Sequence, residues 1–89
     1  MDPVTLDIEN GSHLVLVSDL VNPKEGSNAC FVISSSVVNG GSVARLTAGK
    51  GVSNQILDLC WKKDQKPQIY HKNPVNETFT YRCKIISAI

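Results

Sequence analysis

Turn-forming clusters recur about every 8–12 residues along this chain, a spacing that leaves room for short strands between them. Several of the segments in between carry the period-two pattern that a pleated strand imposes. Val4-Thr5-Leu6-Asp7-Ile8-Glu9 alternates apolar and polar, which puts Val4, Leu6 and Ile8 on one face. Asn10-Gly11 follows, and both residues tolerate the positive φ of a tight hairpin turn. An opening hairpin with a return strand over residues 13–20 is therefore expected. Within it Leu14-Val15-Leu16-Val17 is apolar throughout, as in strands covered on both faces.

Residues 21–28 read as a loop, with Pro23 blocking strand continuation. Residues 29–38 form the next strand. Asn39-Gly40-Gly41 turns the chain, and residues 42–48 return with Val43 and Arg45 opposite Ala44 and Leu46. The stretch 53–64 fits a strand with Leu57, Leu59 and Trp61 inward and Asp58, Cys60 and Lys62 outward. A short helix is the alternative, but a capping-box Glu or Gln is missing at the third position. Residues 67–71 form a short edge-like strand. Residues 78–86 close the chain, with Phe79, Tyr81, Cys83 and Ile85 on one face and Thr78, Thr80, Arg82 and Lys84 on the other. The expected fold is all-β: one domain over 1–89, a compact six- to seven-stranded antiparallel β-sandwich or small barrel.

A chain of 89 residues buries a thin core and gains much from a covalent staple. Its cysteines number three, Cys30, Cys60 and Cys83, so one stays a thiol or pairs elsewhere. With Cys83 inward and Cys60 outward, the expected bridge is Cys30–Cys83, worth about 4 kcal/mol by loop-closure entropy. Cys60 is then the free thiol. If 53–64 is helical, Cys60 joins the core face and the other pairings open.

A bridge points to an oxidising compartment. Two acceptor patterns for N-glycosylation, Asn10-Gly11-Ser12 and Asn76-Glu77-Thr78, point the same way. The opening Met1-Asp2-Pro3 has neither the basic start nor the apolar stretch of a signal peptide, so the expectation is a mature secreted form carrying an added Met, with a cytosolic protein as the alternative. No apolar run approaches the length of a membrane span.

Chemistry is sparsely signalled. Gly49-Lys50 lacks the further glycine and the hydroxyl of a phosphate-binding loop, since Ala44 and Gly51 occupy those positions. The cysteines lie far apart and His13 and His71 are isolated, which is poor spacing for a metal, and no cofactor is expected. Cys60 with His71, oriented by Asp58, is the one nucleophile–base pair worth naming, and no local signature supports it. Scattered acids also argue against paired-carboxylate chemistry. A non-enzymatic protein is expected.

Net charge is +1 but unevenly spread. Residues 1–60 hold three cations against six acids, and residues 61–89 hold six cations against two acids. The basic part contains the segment with most binding character: Trp61, Lys62, Lys63, Lys66, Tyr70, His71 and Lys72, joined by Arg82 and Lys84 on the outward face of the last strand. The bland alternative is a buried Trp61 among ordinary solubilising lysines. A protein partner is the first expectation, then a glycan or anionic membrane surface, with nucleic acid below both. In size and composition the chain resembles the small secreted effector (virulence) and defence proteins of microbes and plants, though no motif carries that resemblance. Tyr81-Arg82-Cys83 resembles the Tyr-x-Cys of immunoglobulin domains, but Cys60 and Trp61 are adjacent where that family spaces them apart.

Overall fold

The computed structural model describes residues 3–20, 28–47, 57–72 and 80–88. Among them the chain forms seven strands and no helix: β1 (Val4–Thr5), β2 (Asn10–Asp19), β3 (Ala29–Ser36), β4 (Gly40–Arg45), β5 (Leu57–Cys60), β6 (Gln68–His71) and β7 (Tyr81–Ala88). They build two antiparallel sheets, one ordered β4-β3-β2-β7 and the other β1-β6-β5. This is the expected β-sandwich, and residues 57–60 take the strand form rather than the helical one. Residues 53–56 lie outside the described residues.

Cross-strand partners share a face, so the register assigns every side chain to a side. Val15, Val17, Ala29, Phe31 and Ile33 from the four-stranded sheet meet Leu57, Leu59 and Ile69 from the other; Leu6, Ile8 and Trp61 complete the buried core. Val15, Phe31, Ile33 and Leu57 are wholly excluded from solvent. Each such aliphatic or aromatic side chain contributes about 1.5–3 kcal/mol of hydrophobic stabilisation.

The two long sides of the sandwich are closed differently. On the β4–β5 side, the Trp61 indole packs against Gly41, and the Gly41 N–H donates to the Trp61 carbonyl at 2.9 Å. A Cβ on Gly41 would sit 2.2 Å from the indole ring. Arg45 adds a second clasp there. Its guanidinium stacks 5.3 Å from the centre of the Phe31 ring and donates to the Leu57 and Thr47 carbonyls. On the other side, β7 and β1 are the edge strands, and β1 is only two residues long.

Three expectations need correction. Residues 4–9 do not form a hairpin with β2: β1 pairs with β6, and the chain crosses to the other sheet before Asn10. Gly11 has the positive φ expected of it (95°), but inside β2. Leu6 and Ile8 are nonetheless buried, as their alternation implies. Secondly, β6 is the central strand of its sheet, not an edge. Thirdly, Cys30 and Cys83 form no disulfide; all three cysteines are unpaired. Cys83 is paired in register with inward-facing Val17, whereas Cys30 is paired with outward-facing Leu16. The two thiols occupy opposite faces of the sheet with β2 between them, so no side-chain rotation can join them.

Substituting Gly41→Ala forces a methyl group into the indole. We expect a loss of about 1–3 kcal/mol, the range for overpacking a filled core, read as a lower urea midpoint by Trp61 fluorescence.

Candidate functional site

The residues of the basic aromatic segment are dispersed over the molecule. Trp61 is core, 4% exposed. Lys62 and Lys63 are exposed in the turn after β5, and Lys72 is exposed after β6. Lys66 reaches Asp7 at 2.8 Å; that hydrogen bond holds the carboxyl below its ordinary range and the ammonium above its own. The pair is solvated, so it contributes little to stability. Arg82 and Lys84 lie on the far sheet, on its outer face.

The outer face of the three-stranded sheet is polar. Tyr70 and Asp58 are cross-strand partners, and the phenol donates to Asp58 Oδ2 at 3.2 Å. Partial burial and the neighbouring carboxylate raise the Tyr70 pKa. Cys60 and Gln68 are the next pair along, and a hollow of about 390 Å³ beside them is lined by both together with Pro3, Lys62, Tyr70 and His71. The named nucleophile–base pair is not assembled on this face. Cys60 points outward, whereas His71 is paired with buried Leu57 and points between the sheets. Asp58 holds Tyr70 and the Leu59 N–H, not His71.

Between the sheets His71 meets Tyr81 of β7, Nε2 to hydroxyl at 2.9 Å, with the rings edge-on at 5.8 Å. Burial lowers the His71 pKa and pushes that of Tyr81 up to about 12, aided by Asp19. The phenol therefore stays protonated and is assigned as the donor to a neutral imidazole. Asp19, a cross-strand partner of Tyr81, is itself buried, so this end of the core is polar. It ties β6 to β7 on the side that Trp61 and Arg45 do not reach.

The surface that the sequence did not single out is the outer face of the four-stranded sheet. Register aligns its side chains in rows across all four strands. Ala44, Val32, Leu14 and Ile86 form one row. Cys30, Leu16 and Lys84 form the next, with Leu46 beside Cys30 through its N–H to the Cys30 carbonyl. A serine row, Ser42, Ser34 and Ser12, borders them, with Ser12 and Ser34 hydroxyls 2.8 Å apart. The middle of this face is thus an apolar band two rows deep. Val32 is 39% exposed, Ile86 49% and Leu46 60%. Arg82 and Lys84 are the charged side chains of this face among the described residues.

Compared with known proteins, the chain matches no family model, no curated protein and no solved structure. Of the two Asn-x-Ser/Thr patterns, Asn10 is exposed at the start of β2, and Asn76 lies outside the described residues.

The half-buried His71, whose pKa is lowered by burial, makes stability depend on pH. Its folded pKa lies below the ordinary 6.5, so the unfolded chain binds the proton more readily. Its contribution is complete above pH 6.5 and is lost as pH falls through the lower folded value. The urea midpoint is expected to drop on acidification from pH 7.5 to 5.5. In His71→Gln, which keeps a polar partner for Tyr81, that dependence should flatten.

Proposed function

We propose that this chain is a non-enzymatic binding protein that engages a partner protein through the outer face of its four-stranded sheet. The observation that carries the reading is the apolar band of Val32, Leu14, Ile86, Leu16 and Leu46. An antiparallel sheet with one face in water ordinarily alternates apolar-in with polar-out. Here β2 is apolar on both faces, Leu14 and Leu16 outward and Val15 and Val17 inward. An exposed apolar band rimmed by polar rows is a feature of protein interaction surfaces. Serines border one flank, Arg82 lies on the other and Lys84 ends the second row at β7, and the two cations favour a partner carrying carboxylates opposite them.

Export, in the manner of small effector or defence proteins, belongs to this reading as a separate component. With no bridge between Cys30 and Cys83, it rests on the acceptor patterns at Asn10 and Asn76.

The test is a pull-down from the protein's native source with three baits: wild type, the Val32→Ser/Ile86→Ser double variant, and the Lys62→Ala/Lys63→Ala/Lys66→Ala triple variant. Both serine substitutions fall on exposed positions, so the fold should survive them. We expect the double variant to lose its partner at least tenfold and the triple variant to keep it, since a few central apolar anchors dominate interface energy. Equal recovery by wild type and double variant would remove the apolar band from the account.

A further inference from the structure

The outer edge of β7 adjoins the apolar band but is a different surface, and we propose that it accepts an extended peptide of alternating aliphatic and acidic residues as a fifth strand. Among the described residues, β7 has β2 as its only strand neighbour. The Leu20 N–H donates to the Thr80 carbonyl at 2.9 Å, which sets the phase of the ladder. In an antiparallel pair, hydrogen-bonded and non-hydrogen-bonded partners alternate. Arg82, Lys84, Ile86 and Ala88 therefore direct their backbone groups to β2. Cys83, Ile85 and Ser87 direct theirs outward, a row of donors and acceptors spaced for another strand.

The two sides of this edge specify the side chains of the guest. On the inner side, an apolar mouth of about 140 Å³ opens between β7 and β1, lined by Val4, Leu6, Val17, Ile69, Tyr81 and Cys83. It is comparable to an engineered cavity of about 150 Å³ that takes benzene, so one aliphatic side chain fits. Cys83 belongs to the inner face by register yet is exposed at this open mouth. On the outer side Arg82 and Lys84 flank the edge without a described acid on that face. A guest strand alternates in the same way as its host, so an aliphatic residue toward the mouth puts its neighbours beside the two cations.

A second copy of this chain centred on the Cys83 mouth is the poorer occupant. Antiparallel pairing of two β7 edges about Cys83 would set Arg82 of each copy opposite Lys84 of the other, and like charges directly opposed are destabilising.

The experiment is selection of peptides from a random twelve-residue display library on the immobilised full chain. Enriched peptides are then synthesised and titrated against wild type, Ser87→Pro and Arg82→Glu/Lys84→Glu. Proline at Ser87 removes an outward N–H without touching the ladder to β2. If that variant does not fold, Cys83→Lys replaces it and blocks the edge with an inward-pointing charge. The expected result is enrichment of alternating aliphatic–acidic sequences whose affinity falls at least tenfold in both the edge and the charge variant. No enrichment over blank support, enrichment without that alternation, or undiminished binding to either variant would overturn the proposal. Concentration-dependent dimerisation abolished by Ser87→Pro would also overturn it, in favour of self-pairing.

Discussion

The contact between the Trp61 indole and the Gly41 backbone determines how the two sheets meet. Glycine there is a packing requirement, because the ring occupies the volume a side chain would need. With Trp61 seated on β4, β5 lies against the β4–β3 half of the four-stranded sheet, and Arg45 reaches across to the Leu57 carbonyl to hold it there. The three-stranded sheet is narrower, and its far strand is two residues long. Anchoring it at one side leaves the other side, between β1 and β7, incompletely covered. The His71–Tyr81 hydrogen bond joins the sheets on that side, and the apolar mouth beside Tyr81 and Cys83 lies next to it.

Side-chain faces were legible in the sequence, whereas strand neighbours were not. Period-two alternation correctly orients Leu6 and Ile8, Leu57 and Leu59, Val43 and Arg45, and Tyr81, Cys83 and Ile85, because each strand's inward residues are an intrinsic property of its pattern. Pairing is a property of two strands, and alternation carries no information about the second. The Asn10-Gly11 signal illustrates the gap. A residue that accepts positive φ suits a hairpin turn, and it equally suits a strand that begins just after the chain changes sheets. The disulfide expectation failed for the same reason: Cys30 needed a face, and only its pairing with Leu16 supplied one.

Clustering in sequence was a poor guide to clustering in space. Successive strand residues point to opposite faces, so Trp61, Tyr70 and His71 separate into core, outer face and sheet interface even though they are close along the chain. The apolar band arises the other way, from Leu14, Leu16, Val32, Leu46 and Ile86, brought together across four strands. Its one trace in the sequence is the unbroken Leu14-Val15-Leu16-Val17 run, which signals a strand with apolar residues on both faces. What would cover the second face is information the chain pattern does not carry. The band and the β7 edge adjoin at Lys84 and Ile86, so the polar and apolar features of both surfaces are concentrated on one side of the molecule.

Peptide docking requires β7 to be an open edge whose backbone groups alternate between β2 and solvent. Amide hydrogen exchange measured residue by residue by NMR reads that directly. Arg82, Lys84 and Ile86 should exchange slowly, and Cys83, Ile85 and Ser87 should exchange faster. Uniform protection along residues 82–87 would mean that another strand already occupies the edge, and would contradict the peptide-docking proposal.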